Sequence, residues 1–150
     1  MIKLLPLMIC SILFLSIPSS NVNAGPFSEA LGKCLVRSAT PSDKVNMVKW
    51  IFFAMGEHPS LKSTSKVSEW EKTKNDKAMA DLWTRLLTSA CRKQTREGIK
   101  YEPRIALFSA SKMLGRAAMH EIMTNTKVTK RIKSFSRFVD KDAMRRLRIK

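Results

Sequence analysis

Two histidines have the side chains in this chain that are best suited to bind a metal ion or to move a proton. His58 comes just before Pro59 at a predicted helix end, where an imidazolium can interact with exposed carbonyl groups. His120 has Met119 and Met123 as near neighbours, and thioether ligands suit Cu(I). Methionine at helical spacing more often fills a core, so we interpret His58 as a helix cap and predict no metal and no cofactor.

Other patterns that could support catalysis are unspecific. Ser-x-x-Lys occurs at Ser109–Lys112 and at Ser63–Lys66, but the sequence lacks the S-D-N and K-T-G elements of the acyl-enzyme families that use it. Glu69 and Glu71 fall in a polar segment, where we expect them to be solvated. No proton-transfer constellation is visible, so we predict a protein that is not an enzyme and has no catalytic residue.

The C-terminal segment, residues 127–150, has the clearest functional pattern. It carries ten basic residues against Asp140 and Asp142, arranged around an apolar stripe that includes Phe135 and Phe138. Such segments lie on anionic membranes or pair with acidic partners. We predict that an anionic envelope surface or an acidic protein partner is bound by Lys127, Lys130, Arg131, Lys133, Arg137, Arg145, Arg146 and Arg148.

Two alternatives apply to this charge. The segment could be a packed last helix with a solvated outer face, and a helix that buries Phe135 can still display its arginines. The whole chain is also basic, with 28 Lys and Arg against 12 Asp and Glu, which favours anionic partners but also fits a host whose exported proteins are generally basic. Nucleic acid is a less favoured polyanion, because no platform of exposed aromatic residues is recognisable.

The first 24 residues have the three parts of a secretory signal peptide. Lys3 supplies the positive charge, residues 4–17 form an apolar run, and Val22 and Ala24 suit the −3 and −1 positions of a cleavage site. The run is shorter than the roughly 20 residues of a membrane span, which disfavours a retained anchor, and a bulky neighbour disfavours lipid attachment at Cys10. We predict export to the periplasm or beyond. Cleavage leaves 126 residues, net charge +15 because only Lys3 is lost, and no transmembrane span.

Cleavage also removes Cys10 and leaves a single pair, Cys34 and Cys91. An even number of cysteines in an oxidising compartment is typical of a disulfide, whereas two free buried thiols would require a reducing compartment. Both residues fall on the apolar stripes of different predicted helices. The bridge would close a loop of about 58 residues, which corresponds to on the order of 4 kcal/mol in the chain-entropy model.

The segment from Thr40 to Pro59 has the pattern of the central helix of a bundle. Residues 40–43 supply a threonine cap, a proline at the first helical position and an acidic N3 residue. Residues 50–55 are apolar all round, which is typical of a helix surrounded by others. Gly56 and Pro59 end it. An apolar pocket between helices would make the protein a small-ligand carrier, our alternative function, with Trp50, Phe53, Trp83 and Met119 as its lining.

Apolar spacing predicts the other elements as follows: a first helix from Pro26 to about Val36, a surface loop from Ser60 to Asn75 with one turn at Trp70, a third helix from Asn75 or Asp76 to Cys91, a polar connection from Arg92 to Gly98, a fourth helix from Pro103 to Met123, and a basic helical segment from Asn125. No period-two alternation persists. We therefore predict an all-α, single-domain bundle of about five helices around a central apolar helix, with one disulfide.

Three stretches together resemble a group of small exported helical proteins of Gram-negative bacteria: CLV at Cys34–Val36, KWIFFAMGEHP at Lys49–Pro59 and ADLWTRLLTSAC at Ala80–Cys91. These are packing and cysteine motifs, and they cover most of the chain after the signal peptide. The resemblance implies a periplasmic or secreted helical domain and brings no activity or ligand. The strongly basic C-terminal segment lies outside these motifs.

Overall fold

A computed structural model of the chain describes residues 24–64 and 66–147. Nearly all of the predicted signal peptide and the last three residues, including Arg148, lie outside this range. In the described residues no strand occurs, which confirms the all-α prediction, and seven α-helices are present rather than five. They are α1 (Pro26–Ser38), α2 (Pro41–Gly56), α3 (Glu69–Arg85), α4 (Arg92–Tyr101), α5 (Ala106–Met123), α6 (Thr126–Lys133) and α7 (Lys141–Arg146), with a π-helical turn (Leu86–Ala90) after α3 and a 3-10 helix (Ser134–Phe138) after α6.

The core forms where α1 packs against α5. Leu31 and Leu35 of α1 are completely buried, and the facing positions of α5 alternate small residues with one leucine: Ala106, Ala110, Leu114 and Ala118. Small side chains let the two helices approach closely. A Cβ atom at Gly32 would overlap the side chain of Met113, so the contact uses glycine where the helices are nearest.

The predicted helix start at Thr40 is confirmed. The Thr40 hydroxyl accepts a hydrogen bond from the Asp43 N–H at 3.1 Å, and the Asp43 carboxylate accepts one from the Thr40 N–H at 2.8 Å. The central position of this helix, however, was predicted wrongly. Of its residues, Met47 and Gly56 are buried, while Trp50, Phe52 and Met55 are exposed. The small residues of α5 allow neighbouring helices to approach more closely than the bulky side chains of α2 do. α5 is therefore the central helix of the bundle.

Two other boundaries differ from the prediction. Ser68, and not Asn75 or Asp76, caps α3, because its hydroxyl accepts from the Glu71 N–H at 3.3 Å in a capping box. The start of α3 was therefore mistaken for a loop. Residues 92–98, predicted as a connection, belong to α4. The buried face of α4 consists of Thr95 and Gly98, which give almost no apolar signal.

The sulfur atoms of Cys34 and Cys91 lie 2.09 Å apart, with a Cα–Cα separation of 5.9 Å, so the predicted pair is present at disulfide distance. The π-helical turn determines which residue points inward. Its wider winding brings Cys91, five residues after buried Leu86, into the core, and the Cys91 N–H donates to the Leu86 carbonyl at 2.8 Å. Ala90, four residues after Leu86, is exposed.

A distant carboxylate caps the N-terminus of α1. Gly25 offers no side chain there, and Glu102, between α4 and α5, accepts hydrogen bonds from the N–H groups of Phe27 at 3.0 Å and Ser28 at 2.9 Å and from the buried Ser28 hydroxyl. A Cβ at Gly25 would collide with this carboxylate. The Phe27 ring stacks on Tyr101, 4.6 Å between centroids. Together these contacts hold the start of α1 against the α4–α5 junction.

Removing the cysteine pair tests its contribution to stability. We expect the double variant Cys34→Ala, Cys91→Ala to lose about 4 kcal/mol of unfolding free energy, because the unfolded chain regains the entropy of a loop of about 58 residues. Guanidinium titration followed by far-ultraviolet circular dichroism measures this. Wild type treated with a reductant should shift by a similar amount, and an unchanged midpoint in both samples would show that the pair does not stabilise the bundle.

The Glu102 cap predicts a dependence of stability on pH. The hydrogen bond from the Ser28 hydroxyl, with those from the backbone, holds the pKa of Glu102 below its ordinary value of 4.5. A carboxylate with a lowered folded-state pKa stabilises the protein above the unfolded pKa, and this stabilisation disappears as the pH falls through the folded pKa. We therefore expect Glu102→Gln to lower the melting temperature at neutral pH and to match wild type at acid pH.

Thermal melts of both proteins from pH 7 to about pH 3 measure this difference. Glu97→Gln, on the surface of α4, serves as the control and should melt close to wild type throughout. A gap between Glu102→Gln and wild type that stays constant across the pH range would contradict the assigned cap.

Candidate functional site

Residues 126–147, which we call the C-terminal arm, start with a side-chain cap and contain another. The Asn125 side-chain oxygen accepts from the N–H groups of Lys127 and Val128 at the start of α6. Asp140 caps the last helix and accepts from the N–H groups of Asp142 and Ala143. Local hydrogen bonds therefore define where the two α-helices of the arm begin.

No residue of the arm is buried. The predicted site residues lie in all three of its helical elements, and each of the described ones is exposed: Lys127, Lys130, Arg131 and Lys133 in α6, Arg137 in the 3-10 helix, and Arg145 and Arg146 in α7. Arg148 lies outside the described residues. The alternative of a packed last helix requires a buried Phe135, and the structure leaves this side chain exposed. The arm is therefore an appendage of the bundle with a free basic surface.

The two carboxylates of the arm are already engaged. Asp142 forms an ion pair with Arg145, and Asp140 caps α7. Within residues 24–64 and 66–147, the other predicted cations of the arm have no carboxylate within ion-pair distance: Lys127, Lys130, Arg131, Lys133, Arg137 and Arg146. On the bundle some cations are paired, as Arg85 of α3 is with Asp43 at 2.7 Å, whereas others of the described residues, such as Arg92 and Arg96 of α4, have no carboxylate within ion-pair distance.

Three of these cations share one side of the arm. Lys130, Lys133 and Arg137 line an open groove of about 480 Å³ together with the hydroxyl-bearing residues Thr126, Thr129, Ser134 and Ser136. Three of these hydroxyls donate to backbone carbonyls: Thr129 to Thr126 at 3.1 Å, Ser134 to Arg131 at 2.7 Å and Ser136 to Lys133 at 2.8 Å. The ammonium and guanidinium groups are therefore the main donors for an anion in this groove.

Large apolar side chains accompany the cations. Phe135 and Phe138 are 64% and 77% exposed, and the guanidinium of Arg137 lies 4.7 Å from the centre of the Phe138 ring. Four further apolar residues of the arm are also exposed: Ile132, Val139, Met144 and Leu147. The sequence shows the stripe but leaves open whether it packs against the bundle or faces a partner. Its exposure makes the arm amphipathic and unpartnered.

A second exposed apolar surface lies at the C-terminal end of α2. Trp50, Met55 and Leu61 surround an open depression of about 520 Å³ with Ile51, Ala54 and His58. The Lys44–Glu121 ion pair places the first turn of α2 beside the last turn of α5, from which the arm continues. The end of α2 is therefore remote from the arm, and the two surfaces are separate.

The other residues that the sequence singled out do not assemble into a site. His58 Nδ1 accepts a hydrogen bond from the Ser60 N–H at 3.3 Å, so the imidazole stabilises the turn after α2 and does not cap its carbonyls as predicted. In the described residues no three His, Cys, Asp or Glu side chains lie close enough to hold a metal ion. The residues suggested for a carrier pocket are dispersed, since Trp50 and Phe53 line different depressions and Trp83 packs against the core.

Comparisons with known proteins give no family assignment. No family model matches the chain, and no curated protein or solved structure matches it significantly. Among the helices that the structure describes, none combines the length and the apolar character needed to cross a bilayer.

Deleting the arm tests its independence from the bundle. Because none of its residues is buried, we expect a chain ending at Asn125 to keep its unfolding free energy within about 1 kcal/mol of wild type. Leu35→Ala, which opens a cavity between α1 and α5, should cost about 2–5 kcal/mol in the same denaturant titration. A truncated chain that unfolds as easily as the Leu35 variant would show that the arm is part of the core.

Proposed function

We propose that this protein is an exported, non-enzymatic interaction protein that binds an anionic envelope surface or an acidic partner through its C-terminal arm. The observation that carries the proposal is a set of exposed cations without carboxylate partners in the described residues, on a segment that contributes nothing to the core. Where lysine and arginine side chains contribute to folding, they form ion pairs with carboxylates or pack against the core. Cations left free on an appendage are available to a partner.

Export is supported by two independent features. The first 24 residues have the order of a signal peptide, with a cleavage site after Ala24. The Cys34–Cys91 pair at disulfide distance is typical of proteins in oxidising compartments. The proposed cut falls just before Gly25, the residue that precedes α1, so it removes no residue of the core. We therefore assign the mature protein to the periplasm or the exterior, in line with the exported proteins that its motifs resemble.

The location of the charge distinguishes a specific site from general basicity. If the host favours basic proteins throughout, every basic cluster should bind a polyanion equally well. The surface of α4 supplies the matched comparison, because Arg92, Lys93 and Arg96 are exposed in a cluster of the same charge.

Immobilised heparin is the probe, and two triple variants with equal net charge are compared. The arm variant is Lys130→Glu, Arg131→Glu, Lys133→Glu, and the control is Arg92→Glu, Lys93→Glu, Arg96→Glu. We expect the arm variant to elute at lower NaCl and to reduce the slope of log affinity against log salt by about 3 or more, through lost counterion release. The control should change this slope by less than about 1. Equal losses in the two variants would refute a site on the arm.

A further inference from the structure

The 3-10 helix gives the arm two aromatic side chains on one side. With 3.0 residues per turn, side chains three positions apart are eclipsed, so Phe135 and Phe138 project from the same side. An α-helix would rotate them apart by about 60°. Both rings are largely exposed. Two phenylalanines exposed to water on the same side of a segment are costly unless something apolar receives them.

The cations of α6 surround the apolar stripe that leads to this pair. At about 100° per residue, Val128 and Ile132 share one face, Arg131 and Lys133 project to either side of it, and Lys130 lies opposite. Flanking lysine and arginine stems can extend upward to charged groups while the apolar face points away from water. Such a cross-section is typical of helices that lie in the plane of a membrane interface.

The shape of the arm favours a fluid receptor over a folded one. Between α6 and α7 the backbone changes from α to 3-10 and then to an extended residue at Val139. Of the exposed apolar residues, Ile132 lies in α6, Phe138 in the 3-10 helix and Leu147 directly after α7. A folded acidic protein would need a separate complementary pocket for each of them, together with carboxylates for the cations. The boundary between headgroups and acyl chains accepts apolar groups of any shape beneath a layer of anionic phosphates.

We infer that the C-terminal arm lies in the interface of an anionic phospholipid bilayer, with Phe135 and Phe138 inserted below the phosphates and the lysines and arginines at their level. The inference rests on the proposed function and specifies its partner. Charge attracts the arm and the phenylalanines hold it, since a polybasic patch and an apolar anchor together give stable attachment where either alone gives weak attachment.

The test uses the full mature chain and vesicles of equal parts phosphatidylglycerol and phosphatidylcholine, with pure phosphatidylcholine vesicles as the neutral reference. The variant Phe135→Ser, Phe138→Ser keeps every charge. Its control, Phe52→Ser, Phe108→Ser, removes two phenylalanines that are 50% and 73% exposed on the bundle. Flotation at increasing lipid concentration gives the partition coefficient, and circular dichroism verifies the fold.

We expect wild type to bind the anionic vesicles and not the neutral ones. The variant Phe135→Ser, Phe138→Ser should partition into anionic vesicles about tenfold less strongly than wild type. Its control, Phe52→Ser, Phe108→Ser, should stay within about twofold of wild type. Amide hydrogen exchange should slow in residues 126–147 on the anionic vesicles. The variant Phe135→Ser, Phe138→Ser should elute from heparin like wild type, because heparin offers charge without an apolar layer.

Three results would overturn the inference. The first is that Phe135→Ser, Phe138→Ser binds anionic vesicles as tightly as wild type. The second is that Phe52→Ser, Phe108→Ser loses as much vesicle affinity as the variant of Phe135 and Phe138. The third is a wild type that binds heparin but no vesicle, which would point to an acidic protein partner. In each case the proposed function survives. It fails separately if charge reversal at Lys130, Arg131 and Lys133 leaves heparin binding no weaker than the control reversal on α4.

Discussion

Close approach between α1 and α5 is the constraint on which the rest of the structure depends. The contact uses Gly32 and a row of alanines on α5, so that Leu31 and Leu35 of α1 fill the space between the helices. α1 is fixed on both sides of this contact. Glu102 holds its first turn, and Cys34 joins its last part to Cys91 at the end of the π-helical turn. α1, a helix of 13 residues, is therefore held in place at both ends, and other elements pack against it.

This close packing displaces aromatic residues from the core. Among the described residues, no phenylalanine, tryptophan or tyrosine is fully buried, and the largest fully buried side chains are leucines. Rings as large as those of Trp50 or Phe53 would separate helices that alanine allows to touch. They remain at the surface, where some take polar roles, as when the Trp50 indole N–H donates to Asp76 at 2.9 Å. The exposed aromatic surface is therefore a consequence of how the core is built.

Local chemistry was readable from the sequence, and competition for the core was not. The cap at Thr40 depends on nearby residues and the cysteine pair on an even count and helical spacing, and both are present. The central placement of α2 failed because burial depends on which helix allows the closest neighbours. α4 was missed since Thr95 and Gly98 form its buried face.

The candidate site shows the same division. Its cations could be identified by counting, since lysine and arginine clusters need no tertiary context. The exposure of Phe135 and Phe138 could not, because an apolar stripe has one appearance in sequence whether another helix or something outside the chain receives it. The tighter winding of the 3-10 helix, which places the two rings on the same side of the arm, also has no sequence signal.

The position of the arm keeps its charge away from the contact that holds the fold together. Among the described residues, the bundle already carries exposed cations without ion pairs, such as Arg92 and Arg96 of α4, and more like charge on it would add to their repulsion. On the arm, this repulsion does not oppose the packing of α1 against α5, and at physiological salt it is screened beyond about 8 Å. α5, about 27 Å long for its 18 residues, also separates Glu102 and the start of α1 from the arm. The fold is therefore secured at one end of α5, while the arm at the other end carries its charge without contributing to the core.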